Sequence, residues 1–219
     1  MLVIFDCDGV LVDTELPSNR CFAAALNEIG LDWSLEQTMA RLVGRSMKSC
    51  IEIVERELGR AVPADFVDRL QRRTFETFRR EGIAATPGLP GALEALDGAG
   101  IPYCVASSGE IEKMRLTLGL SGLLPRFEGH MFSATMVPRG KPFPDLFLHA
   151  ARSMNVPPAE CVVVEDAVPG VMAGRAAGMR VLAYAAAPHA DPASLEAAGG
   201  ILFDDMARLP ALLGVAGAA

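Results

Sequence analysis

Six short apolar runs punctuate the chain, at residues 2–5, 103–106, 131–133, 161–164, 181–184 and 201–203, without regular polar alternation. Such runs predict strands covered on both faces. Helical spacing fills the stretches near 89–99, 111–118, 145–154, 171–177 and 206–213. Strands separated by helices predict an α/β core around a parallel sheet. Residues 15–82 follow another pattern. Phe22, Ala25, Leu26 and Ile29 fall at i, i+3, i+4 and i+7, Met47, Ile51, Val54 and Leu58 at i, i+4, i+7 and i+11, and a third helix is expected over 65–80. No strand pattern interrupts them. The chain is therefore expected to fold as an α/β core of residues 1–14 and 83–219, with an all-helical domain of residues 15–82 inserted after the first strand. The T-P-G-L-P-G stretch at 86–91 suits the return linker.

Composition narrows the class. Of 219 residues, 51% are hydrophobic and 21% charged, which excludes a disordered chain. The longest uninterrupted apolar run, residues 181–187, is too short to span a bilayer, and residues 1–5 lack the basic flank of a signal peptide. Five scattered cysteines (Cys7, Cys21, Cys50, Cys104, Cys161) with no C-x-x-C pair read as reduced thiols of a cytoplasmic protein, not as a disulfide framework or zinc site. The net charge of −7 argues against a nucleic-acid partner. All of that excess lies in the core, because residues 15–82 carry 11 basic and 11 acidic side chains. Five arginines between residues 69 and 80 point in several directions and read as a solvated face offset by Asp65, Asp68 and Glu76.

Four of the predicted strands deliver polar residues to their C-terminal ends. Asp6 follows the first run, with Asp8 two residues on and Gly9 allowing a sharp turn. The second run ends in Ser107-Ser108-Gly109, the fourth in Glu165-Asp166, and Lys141 lies in the loop after the third. Ligands of open parallel sheets bind at that edge. Taken singly, the acids suit turns or caps, the serines an N-cap and Lys141 a solvated loop. Jointly, four carboxylates at one edge would repel unless a cation lay among them, and an all-oxygen set suits Mg²⁺. A serine hydroxyl, helix N-terminal amides and a lysine beside it form a phosphate cradle. Asp6 then reads as a nucleophile and Asp8 as the general acid and base.

These residues lie in four segments: D-C-D-G-V-L-V-D-T-E, V-A-S-S-G, G-K-P-F-P-D and V-V-V-E-D-A-V-P-G-V. Together they resemble, in order, the four motifs of haloacid dehalogenase superfamily phosphatases with a helical cap inserted after the first motif. The likeness extends to the β-phosphoglucomutase-like branch, which implies a Rossmann-like core with a four-helix-type cap. The resemblance implies Asp6 as nucleophile and metal ligand, and Asp8 as acid/base and, through its carbonyl, a Mg²⁺ ligand. Asp166 matches a metal ligand, Glu165 a direct or outer one, and Ser107, Ser108 and Lys141 the phosphate binders. Because Asp8 is present, dehalogenation is disfavoured. In the cap, L-V-G-R-S-M-K-S at 42–49 resembles the loop facing the active site, making Gly44, Arg45 and Lys48 candidates for binding an anionic substrate.

The implied activity is a Mg²⁺-dependent phosphatase of small sugar or sugar-acid phosphates, and the C-terminal half is similar to 6-phosphogluconate phosphatase relatives. The alternative is a phosphosugar mutase of the β-phosphoglucomutase type. That family has a histidine, a lysine and an arginine where this chain has Ser18, Val43 and Met47, which disfavours a mutase. A Schiff-base phosphonate hydrolase would need Lys48, the one cap lysine, and a phospho-accepting receiver would lack the insertion. The expected partner is a small phosphorylated metabolite, with neither membrane nor nucleic acid, and the chain is expected to be a monomer or weak homodimer.

Overall fold

The computed structural model describes residues 1–43, 45, 47–187 and 190–215. Two compact units emerge, Thr14–Ile83 and the combination of Met1–Asp13 with Ala84–Ala219. Each boundary lies one residue outside the expected helical segment.

The helical unit contains α1 (Glu15–Glu28), α2 (Leu35–Leu42), α3 (Met47–Leu58) and α4 (Phe66–Glu81). Periodicity predicts three of these and misses α2, whose eight residues are too few to establish a pattern. Its start is nevertheless written locally as a capping box. The Ser34 hydroxyl accepts from the Gln37 amide at 3.1 Å, and the Gln37 side-chain oxygen accepts from the Ser34 amide at 3.0 Å. Phe22, Leu26, Val54, Phe66 and Leu70 bury themselves together at the centre of the unit. The arginines form a charged face, as expected, but chiefly with other acids. Arg69 and Arg73 both donate to Glu28, Arg20 and Arg80 both donate to Glu81, and Asp65 stands 4.0 Å from Arg69. Glu28 lies on α1, across the groove from α4, where sequence spacing along a single helix gives no view of it.

In the α/β unit, β1 (Leu2–Phe5), β2 (Tyr103–Ser107), β3 (Met131–Ser133), β4 (Cys161–Glu165), β5 (Arg180–Tyr184) and β6 (Ile201–Phe203) form one sheet. Its order is β3-β2-β1-β4-β5-β6, every neighbour parallel. The helices of this unit are α5 (Leu89–Gly98), α6 (Ile111–Leu120), α7 (Leu124–Phe127), α8 (Asp145–Ser153), α9 (Val168–Ala176), α10 (Pro192–Ala197) and α11 (Leu209–Leu212). On one face Ile4, Cys104, Val163 and Val181 pack with Leu146 and Phe147 of α8 and Val171 and Ala173 of α9. On α9, Gly170 and Gly174 stand one turn apart. A methyl at Gly174 would lie 2.7 Å from Val181 Cγ2, so glycine sets how closely the helix meets the sheet.

The chain leaves and re-enters this unit along paired segments. The Asp13 amide donates to Ala84 at 3.3 Å and the Thr86 amide to Leu11 at 3.1 Å, with Val12 bridging Ala85 antiparallel. All five cysteines are free and buried. Among the described residues no helix is long and apolar enough to cross a membrane.

Candidate active site

The strand order reverses between β1 and β4, and at that point the C-terminal ends of parallel strands open a crevice. Phe5 is in register with Val105 of β2 and Val164 of β4, so the residues that follow emerge side by side. The Asp6 amide donates to the Val164 carbonyl at 2.9 Å, which fixes Asp6 against the end of β4. Beyond it the chain turns tightly. Gly9 adopts φ +84°, a left-handed conformation that glycine takes without strain, and the amides of Leu11 and Val12 both return to the Cys7 carbonyl.

Lys141 is brought to the same point from the loop after β3. Its ammonium donates to Asp6 Oδ1 and, at 2.6 Å, to Glu165 Oε1. It also stands 5.1 Å above the Phe147 ring, and its side chain is 5% exposed. Burial opposes its charge, but Asp6 and Glu165 overcome this and hold the lysine above its ordinary value. Burial pushes the Asp6 carboxyl well above the usual carboxylate range, opposed by Lys141 and reinforced by Glu165, Asp166 and Asp8.

The other oxygen of Glu165 accepts from the amides of Asp166 at 2.8 Å and Ala167 at 2.9 Å. Both carboxylate oxygens of Glu165 are thus committed to the protein itself. Ser107 is buried at the end of β2, its hydroxyl accepting from the Gly109 amide at 3.0 Å, while Ser133 from the neighbouring strand donates to the Gly109 carbonyl at 2.8 Å. The serines do not cap the following helix. Its N-cap is Glu110, and Ser108 is exposed.

Sequence spacing does not single out Lys113. It lies in the first turn of α6 and donates to Asp8 Oδ2 at 2.8 Å, with side-chain exposures of 27% for Lys113 and 18% for Asp8. The carboxylates of the edge are therefore balanced in part by two lysines, Lys141 and Lys113. Asp6, Asp8, Glu165 and Asp166 outnumber Lys113 and Lys141 by two charges, and every metal-ligating candidate offers oxygen, so charge and donor type fit a hard divalent cation. Among the described residues no three His, Cys, Asp or Glu side chains gather as a preformed cage. Of the four carboxylates expected near a metal, Glu165 turns its side-chain oxygens to Lys141 and to backbone amides, and Asp8 turns Oδ2 to Lys113.

Arg45 and Lys48 belong to the helical unit and are exposed, and the Arg45 guanidinium donates to the Arg41 carbonyl at 2.9 Å. Gly44 lies outside the described residues.

A family model described as haloacid dehalogenase-like hydrolase matches residues 1–178. The 6-phosphogluconate phosphatase of Escherichia coli (strain K12) is 33% identical over 190 residues, covering 87% of this chain and 85% of its own. Hexitol phosphatase A of the same organism is 36% identical over 181 residues, covering 82% and 81%. Among solved structures, a haloacid dehalogenase family hydrolase from Deinococcus radiodurans R1 with bound phosphate and sodium matches with a TM-score of 0.78 and 33% identity, covering 97% of this chain and 94% of that one.

Proposed function

The chain belongs to the haloacid dehalogenase-like hydrolase family and is a phosphatase, and we propose that it hydrolyses small sugar or sugar-acid phosphate monoesters through an aspartyl phosphate on Asp6. The observation that carries this reading is the cluster of Asp6, Lys141 and Glu165 at the end of β1, with Asp8 two residues further along the same turn.

An oxygen of the Asp6 carboxylate attacks phosphorus, the ester P–O bond breaks, and the leaving alkoxide takes a proton from the Asp8 carboxylic acid. Asp8, now a carboxylate, removes a proton from water as the water oxygen attacks phosphorus. The acyl phosphate bond breaks, inorganic phosphate departs and Asp6 is restored, with one water consumed. Lys141 and Ser107 hold the phosphoryl oxygens, and Lys141 lies close enough to Asp6 to offset charge as the two anions meet. Asp6, Asp166 and the Asp8 carbonyl would hold Mg²⁺, which would supply further stabilisation of charge on the transferring group. Glu165 acts beside that metal site by orienting Lys141, since its own oxygens are already engaged.

Residues 1–14 and 83–219 form the catalytic core in this reading, and residues 15–82 the cap that reads the substrate. Arg45 and Lys48 are its exposed cations for the anionic substrate. The relatives named for 6-phosphogluconate and hexitol phosphates support this substrate class. The acidic chain and its five reduced, buried thiols support a cytoplasmic enzyme acting on metabolites.

A panel of sugar and sugar-acid phosphates tests the proposal, with released phosphate as the readout. Turnover of one such ester, lost by about a thousandfold or more in D6N, supports it. Undiminished hydrolysis by D6N, or hydrolysis of none of the esters by the wild type, rejects it.

A further inference from the structure

Lys113 stands where the local rules of helix formation disfavour it. The first turn of a helix presents unpaired amides and the positive end of the dipole, so a lysine there carries a cost that a carboxylate would not. At the third residue of α6, Lys113 nevertheless reaches across 105 positions of sequence to Asp8 Oδ2 at 2.8 Å. The pair is partly withdrawn from solvent, where an ion pair is screened less than on an open surface.

The path of its side chain is shaped as well. A methyl on Gly109 would lie 3.4 Å from Ser107 Oγ, 3.5 Å from Lys113 Cδ and 3.8 Å from Asp8 Oδ2, so all three groups converge on the space that glycine leaves. Ser107 holds the Gly109 amide and Ser133 holds its carbonyl, which braces that space from both sides. We propose that Lys113 is a positioning residue for the acid/base step, passing over the Gly109 notch to hold the Asp8 carboxylate in its working orientation. The inference rests on the reading of Asp8 as the general acid and base. In that role Asp8 must meet the leaving oxygen and then water at hydrogen-bond distance, and a carboxylate on a turning loop needs an anchor to do both.

A double-substitution cycle tests it with wild type, K113M, D8N and K113M/D8N, using a hexitol phosphate as the poor-leaving-group substrate. K113M should lower kcat by about tenfold to a hundredfold with KM within about threefold, and K113R should recover part of the loss. In the D8N background, K113M should change kcat by no more than about twofold, because the group it positions is gone. With p-nitrophenyl phosphate, whose leaving group needs less protonation, the first-turnover burst should survive in K113M while the steady rate falls. A wild-type kcat in K113M, a loss confined to KM, or a loss that multiplies with that of D8N overturns the inference. Should K113M fail to fold, K113R and G109A are read in the same cycle against D8N and decide by the same criteria. If the wild type turns over and D8N retains only a small residual rate, the reading of Asp8 stands and only the role of Lys113 is at issue. If the wild type is inactive on every ester, both fall.

Discussion

Gly170 faces the carboxylate of Glu165 so closely that a methyl on its Cα would lie 1.7 Å from Oε1. That oxygen is the one that receives the Lys141 ammonium. The first turn of α9 can settle over the end of β4 because position 170 has no side chain. The G-x-x-x-G spacing of Gly170 and Gly174 therefore serves the site at one end and the packing against Val181 at the other.

Substitution of Gly170 by alanine should thus reach the chemistry without touching it. The methyl must displace Glu165, and Lys141 with it. A loss of kcat/KM of about a hundredfold is expected for a displacement on the order of 1 Å, with about 1–3 kcal/mol of stability lost to overpacking. Phosphate release and a urea midpoint measure the two effects. An alanine variant with wild-type kcat/KM would show that Glu165 can move without consequence.

Glu165 and Asp166 are adjacent in sequence, but their expected effects on metal dependence differ. E165Q should lower kcat through Lys141 while leaving the Mg²⁺ concentration for half-maximal rate within about twofold of wild type. D166N should raise that concentration by about tenfold or more. The assay is a Mg²⁺ titration of phosphate release after dialysis against EDTA. A large shift in E165Q would return Glu165 to direct metal ligation.

Relief of like-charge repulsion gives the metal a readout that needs no turnover. An ion that binds the folded chain raises its melting temperature in proportion to RT ln(1 + [L]/Kd). Mg²⁺ at millimolar concentration should therefore raise the Tm of the EDTA-treated wild type, and the rise should shrink in D166N. A Tm that ignores Mg²⁺ in the wild type would count against the assignment of Asp6, Asp166 and the Asp8 carbonyl.

The parallel sheet and the polar groups at its edge were legible because each is signalled locally. Asp6, Ser107 and Glu165 follow directly from apolar runs, and Lys141 stands in a loop rich in proline and glycine. Lys113 carries no such signal. A lysine within helical spacing reads as a surface charge, and only the contact with Asp8, 105 positions away, distinguishes it. Helix α2 fell below the length at which periodicity speaks, although its S-x-x-Q start was there to be read. The separate roles proposed for Glu165 and Asp166 rest on which oxygens of Glu165 meet which donors, a matter of three-dimensional geometry that neighbouring acids in a sequence cannot express.

The buried thiols give the protein a predictable alkaline weakness. Burial raises Cys7, Cys104 and Cys161 above the ordinary thiol value and takes Cys50 to about 11. An unfolded thiol ionises near about 8.5. Between that value and the folded one, the native state holds protons that the unfolded state has released. Stability must then fall as pH rises, because its slope follows the protons bound by the unfolded state minus those bound by the native. Urea midpoints measured at pH 7.5, 8.5 and 9.5 should decline, and substitution of Cys104 by alanine should flatten the decline even as it lowers all three values. The same burial predicts that a thiol reagent at pH 8 labels the native protein slowly and all five cysteines promptly in denaturant. A midpoint that holds steady or rises across this range, or five thiols that react at once in the native state, would contradict the account.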